Sequence, residues 1–231
     1  MKTFIITILA VTVFCAALYA QEVEPVVLHR PAPEDQFKAA DQSLMVMPTA
    51  YTMPKGASSI TDYELFIIQY SYGITSRTHL SAGMVFPIHK ELFKSFTIGL
   101  KQNYYNGTPL QAAFMCSYNP HYKTGAFGNV LSVGDYRASL HGAAFWVVNK
   151  NDISSDYAMM LGGIVMLSKR ASLISEFITT SDILDQEANG MITLGVRLKS
   201  EKLSLDIGGF RPLSNGGDMI MFPLLKGTFL F

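Results

Sequence analysis

Lys101, Glu176, Arg197, Asp206 and Lys226 all fall on one face, the inward one, when the strand-like stretches that hold them are phased by their period of two. If those stretches are strands of one closed sheet, the five side chains share an enclosed face, where a charge must be paired or hydrated. Three cations then meet two acids. That set suits a salt-bridge network filling a narrow interior, or a charged constriction that filters small solutes. A catalytic use of Glu176 or Asp206 is the third option. Ser139 and His141 stand two apart on one strand face, the relation of a nucleophile to its base, but no G-x-S-x-G context accompanies them and no acid is in view to orient the imidazole.

Metal chemistry finds little support. His79, His89 and His121 lie in or beside different turns and loops, without His-x-His or H-E-x-x-H spacing, and are expected to be solvated. Met45-x-Met47 and Met219-x-Met221 each put two thioethers on one face, as a Cu(I) site would, although methionine more commonly serves as adaptable packing or lipid contact. The stretch 181–189 holds Asp182, Asp185 and Glu187 without the regular spacing of a calcium loop. No metal and no cofactor is expected.

The elements that must position these residues follow an export signal. Lys2 precedes the apolar run Phe4 to Leu18, and the small Ala20 stands before Gln21, so residues 1–20 read as a secretory signal peptide. Cys15 is not preceded by the small residue that lipoprotein processing needs. Signal removal leaves Cys116 as the sole cysteine, and hence no intramolecular disulfide. It also leaves 17 basic against 18 acidic residues, so no basic field exists to attract nucleic acid. Charged residues make up only 16% of the chain and mean hydropathy is +0.23, yet no apolar run after residue 20 is long enough for a membrane helix. Hydrophobicity dispersed at alternate positions is what a lipid-facing sheet requires.

Residues 21–42, with Pro25, Pro31 and Pro33, show no sustained apolar period and read as a flexible tail. Twelve strand candidates follow, at 43–51, 63–73, 78–88, 95–104, 109–118, 125–133, 137–149, 157–168, 171–180, 190–199, 202–211 and 219–231. The alternation is plain in 190–199, where Ile192, Leu194, Val196 and Leu198 oppose Met191, Thr193, Gly195 and Arg197. In 202–210, Leu203, Leu205 and Ile207 oppose Ser204, Asp206 and Gly208. Segment 125–133 alternates poorly, so ten strands remain an alternative count.

Tight joints near Ser76-Arg77, Asn106-Gly107, Gly134-Asp135, Lys169-Arg170 and Ser200-Glu201 alternate with longer connections at 52–62, 89–94, 119–124, 150–156, 181–189 and 212–218. Short turns on the periplasmic side and longer loops outside are the habit of outer-membrane barrels, which would set both termini inside. Tyrosines near strand ends, among them Tyr51, Tyr63, Tyr72, Tyr104, Tyr118, Tyr136 and Tyr157, suit an interfacial girdle.

Pro48-Thr49-Ala50-Tyr51 followed by Pro54-Lys55-Gly56, Leu173-Ile174-Ser175-Glu176, and Leu203 to Gly208 leading to Arg211-Pro212-Leu213 carry a likeness. Through them the chain resembles uncharacterised outer-membrane β-barrel proteins of Gram-negative bacteria. Phe229 and Phe231, on one face at the end of the chain, are similar to the C-terminal signal read by the barrel-assembly machinery, although Pro223 and Gly227 interrupt the pattern behind them. The resemblance implies location and fold, and no activity.

The expectation is therefore an all-β protein: a transmembrane antiparallel up-and-down β-barrel of about twelve strands over 43–231, in contact with outer-membrane lipid. It would act as a structural barrel or a narrow passive pore for small solutes, without enzymatic activity. The alternative is an outer-membrane hydrolase acting on lipid or lipopolysaccharide, marked by Ser139 and His141 meeting an acid at the barrel rim.

Overall fold

A computed structural model describes residues 38–86, 90–135, 137–149, 152–181, 188–214 and 221–231. Twelve antiparallel strands pair in sequence order and close into a barrel through the first and last. They are β1 Ser58–Tyr63, β2 Ile67–Thr75, β3 Thr78–Val85, β4 Thr97–Asn106, β5 Leu110–Asn119, β6 Thr124–Gly134, β7 Ala138–Asn149, β8 Asp152–Ser168, β9 Ala171–Thr180, β10 Ala188–Lys199, β11 Leu203–Ser214 and β12 Phe222–Leu230. Closure matters energetically, because an open sheet would leave two edges of unpaired backbone groups. Ser59 to Tyr63 of β1 pair with Leu230 to Lys226 of β12, and Ser58 and Phe231 exchange two backbone hydrogen bonds at the end of the seam.

The period of two sorts side chains as the sequence indicates. On β10, Leu194 and Leu198 face out while Thr193 and Arg197 are buried inside; on β11, Leu203 and Ile207 face out while Ser204 and Asp206 are buried. On β7 the outward residues are Leu140 and Trp146, and His141 is enclosed. The exterior is a surface of Leu, Ile, Tyr and Phe, with Leu194 typical at 45% exposed. Burial has thus been inverted: polar and charged groups lie inside and large apolar ones outside.

Two expectations about the strands are corrected. Residues 43–51 are not the first strand, and 52–62 is not a loop; β1 begins at Ser58, and 43–51 lies inside the barrel. Pro48 gives the physical reason, since it cannot donate to a ladder. β8 extends back to Asp152, which shortens the connection expected at 150–156 to residues 150–151. The five joints at the opposite end remain tight, as expected.

Residues 38–57 form a hairpin within the lumen. The chain turns at 43–48, where Leu44 N–H donates to Met47 O at 2.7 Å and Ser43 pairs with Pro48. It then returns past Thr52, whose hydroxyl donates to Ser76 O at 3.0 Å in the β2–β3 turn. Leu44, Met45, Met47 and Ala50 are fully enclosed and pack with Ala113, Val130, Ala143, Ile174 and Leu224 of the wall. Residues 38–42, expected to belong to a flexible tail, form the first part of this hairpin, and Ala39 and Ala40 are buried.

Candidate functional site

A chain segment that crosses a barrel interior without joining its ladder has backbone N–H and C=O groups that need partners. The inward charges supply them. Lys101 Nζ donates to Gln42 O (2.8 Å), Thr49 O (2.9 Å) and Tyr51 O (3.3 Å). Arg197 donates through Nη1 to Ala40 O (3.0 Å) and through Nη2 to Ser43 O (2.8 Å). Lys226 Nζ donates to Ser43 Oγ (2.7 Å) and closely to Leu44 O. Cations therefore meet carbonyls.

The acid does the reverse. Glu176 accepts the N–H groups of Val46 (3.0 and 3.2 Å to its two oxygens) and Met47 (2.8 Å), and its Oε2 also accepts the Thr193 hydroxyl at 2.5 Å. Hydrogen bonds to an ionised group are shorter and stronger than neutral ones, and here they fix the tip of the hairpin.

Asp206 holds the holders. Its carboxylate is bidentate to Arg197, at 2.7 Å from both Nε and Nη2, and lies 3.7 Å from Lys226 Nζ. Ser204 Oγ donates to the same carboxylate at 3.2 Å. This pairing orients the guanidinium so that its remaining N–H groups point at the hairpin. The Tyr63 ring lies 5.3 Å beneath Lys226. All five charged residues singled out from the sequence face inward and are buried. A mutual salt-bridge network is only part of what they form: Glu176 and Lys101 spend their charges on the hairpin backbone.

Neutral groups extend the grip around the far wall. Asn103 Nδ2 donates to Ala50 O at 3.0 Å, Ser132 Oγ accepts Ala50 N–H at 2.8 Å, and His79 Nδ1 accepts Met53 N–H at 3.3 Å. His79 is thus buried rather than solvated, His121 lies edge-on to Tyr122, and His89 lies outside the described residues. Tyr51 and Tyr63, expected in a girdle, are inside instead: the Tyr51 ring meets His141 edge-on at 6.0 Å. Tyr70, Tyr72, Tyr104 and Tyr118 are exposed on the exterior.

Where the hairpin presses against the wall, the wall has glycine. A Cβ at Gly195 would stand 2.5 Å from Met45 Sδ, and one at Gly162 would stand 2.7 Å from Leu44 Cδ1 and 3.2 Å from Met47 Sδ. The thioethers of Met45 and Met47 thus serve as packing. Met219 and the acidic residues 182, 185 and 187 lie outside the described residues.

Ser139 and His141 do come together, with Oγ to Nε2 at 2.9 Å, and His141 Nδ1 lies 2.7 Å from Ser132 Oγ. Ser132 already accepts Ala50 N–H, so its own hydroxyl hydrogen can go to Nδ1. The tautomer that uses it has Ser132 donating to Nδ1 and Nε2–H donating to Ser139. Ser139 then faces a donor, not a base. The trio is buried against the hairpin near the tight-turn end of β7, and it anchors Ala50 and meets the Tyr51 ring.

No family model and no curated protein matches the chain. Among solved structures it is similar to the outer membrane protein Omp33 of Acinetobacter baumannii, with 12% identity over 76% of this chain and 96% of that one, at a TM-score of 0.48. An outer membrane channel of Pseudomonas putida is similar at 14% identity over 79% and 98% of the two chains, with a TM-score of 0.48. An anion-selective porin of Comamonas acidovorans gives 16% identity, 71% and 59% coverage and a TM-score of 0.41.

Proposed function

We propose that this chain is an integral outer-membrane barrel acting as a narrow passive pore for small solutes, held shut by its own re-entrant hairpin, residues 38–57. The membrane location is supported by the outward ring of large apolar side chains around a closed ladder, a surface that water would not leave dispersed. With short turns on the periplasmic side, the hairpin fills the periplasmic half of the lumen, because its Thr52 and Gly56 bond the β2 end at Ser76 and Gly73.

One observation carries the reading of a pore rather than a solid scaffold. The wall's polar side chains bond the hairpin mainly through its backbone, beside the apolar packing of Leu44, Met45, Met47 and Ala50, and the Thr52–Gly56 arm is tied to one rim at Ser76 and Gly73. A scaffold could fill its interior with wall side chains; a segment hinged at one rim can leave as a unit. Planar-bilayer recording of the protein beside a variant lacking residues 38–53 tests this. The whole protein should be nearly silent with brief openings, and the shortened one should conduct steadily. Silence from a correctly folded shortened barrel would leave only a structural role.

A further inference from the structure

Beyond the hairpin the lumen continues toward the long-loop end, and its two sides differ. Inward positions on β7 to β12 carry Phe145, Met160, Ile178, Met191, Phe210 and Phe222, as the strand register places them on the same face as His141, Glu176, Thr193 and Asp206. Phe210 and Phe222 stack with centroids 5.3 Å apart, and Phe222 stays 44% exposed. The floor is apolar too, since Val46 at the hairpin tip remains 39% exposed.

The facing arc offers neutral hydrogen-bonding groups. Thr97, Ser117, Asn119 and Thr124, with Ala126 and Val147, line a recess of about 270 Å³ near the same end. Gln69 of β2 points into the lumen as well, in register on the same face as Ser71 and Ser81. Charge is concentrated elsewhere. Among the described residues, the inward strand positions on this side of the hairpin hold no Lys or Arg, and the Asp156 carboxylate at the β8 rim accepts the Ser181 hydroxyl at 3.3 Å.

From this division we infer that the outer half of the lumen is a binding vestibule for small, uncharged, largely apolar molecules carrying one hydrogen-bonding group. The apolar body would lie on the Phe222 and Met160 side and the polar group would reach toward Ser117 and Thr124, since the Asn119 amide is already held by Lys94 O and by the N–H groups of His121 and Tyr122. An anionic solute would give up hydration there without meeting a cation on the described strands, because Lys101, Arg197 and Lys226 are spent on the hairpin and on Asp206. This names the solute class for the proposed pore and rests on that reading for its transport meaning; binding itself is a separate observable.

Methyl NMR of the whole protein in lipid nanodiscs, titrated with indole, provides the test. Met160 and Ile178 methyl signals should shift and saturate, while lipid-facing Leu194 and Ile207 drift only linearly with indole in the bilayer. Indole-3-acetate, the same ring with a carboxylate, should require at least about tenfold more ligand, and Phe222→Asp should weaken indole by a similar factor without changing the Leu194 spectrum. Parallel, unsaturating shifts at all four methyls, meaning partition into lipid only, would overturn the vestibule. So would equal affinity for the charged analogue. The hairpin stays in place throughout, so a barrel that never conducts in bilayers would refute the pore and leave this result standing.

Discussion

Glu176 Oε1 accepts the N–H of Met47 at 2.8 Å while its partner oxygen takes the Thr193 hydroxyl at 2.5 Å, so one wall carboxylate is shared between the hairpin tip and the neighbouring strand. Replacing it by Gln keeps the volume and removes the charge. Each charge-assisted bond contributes about 1.5–3 kcal/mol, and an amide can offer one oxygen only. Glu176→Gln should therefore raise the open fraction about tenfold or more in single-channel records, with the barrel itself intact by circular dichroism. An unchanged open fraction would mean that the tip is held by packing alone.

Arg197 and Asp206 form a fully enclosed ion pair, and the pair is useful only while both members are present. Removing one partner of a buried pair costs about 3–5 kcal/mol because the other is stranded. Asp206→Asn should thus release Ala40 and Ser43 from a guanidinium that no longer has its orienting carboxylate. Amide hydrogen exchange should accelerate at 43–47 before it does so in β10 or β11. Uniform acceleration over the whole barrel would indicate a global loss of stability instead.

Leu194, Thr193, Arg197 and Asp206 announced their faces because a strand has only two, and polar residues on one phase can mean only one side of a closed sheet. The five lumenal charges were found for the same reason. The hairpin was not found, since Leu44 to Met47 is as apolar as a strand and its length suits one. Two signals argued otherwise: Pro48 inside the run, and an inward set of three cations and two acids that cannot neutralise itself. Charges left over within a closed wall imply something polar to hold, and that something was the backbone next door in sequence. Tyr51 and Tyr63 were misplaced because nearness to a strand end does not say which way a ring turns.

The lipid face can be tested independently of the hairpin. Leu194 is outward and Thr193 is enclosed against Glu176. Leu194→Arg should cost about 2–4 kcal/mol near the bilayer midplane and lower the folded fraction in vesicles. Thr193→Arg should leave insertion unchanged but displace Val46 and Met47, raising conductance. Equal insertion defects at both positions would contradict the inward and outward assignment.

Glycine at 162 serves the closed state: a Cβ there would stand 2.7 Å from Leu44 Cδ1 of the hairpin, whereas the nearest wall atom, Ser175 O, would be 3.2 Å away. Gly162→Val should suit β8 by strand propensity while pushing the hairpin out. A thiol-reactive maleimide probe on Met45→Cys should then label faster than in the Gly162 background by roughly tenfold, on the argument that about 1.4 kcal/mol of overpacking shifts an equilibrium by that factor. No change in labelling would show that the wall can relax around the added methyls.

The terminal residue separates two roles that deletion alone would confuse. Phe231 closes the seam by exchanging backbone hydrogen bonds with Ser58, both 2.9 Å, and its ring lies 5.6 Å from Phe229 on the exposed exterior. If Phe229 and Phe231 serve the assembly machinery through their rings, Phe231→Ala should reduce outer-membrane assembly in cells almost as much as deletion, yet refold normally in detergent. If the backbone bonds are what matter, Phe231→Ala should assemble like the unaltered chain, and only deletion should impair both cellular assembly and refolding. Heat-modifiable mobility on gels, measured for both variants from cells and after refolding in vitro, distinguishes the outcomes. The recognition role predicts a defect confined to cells.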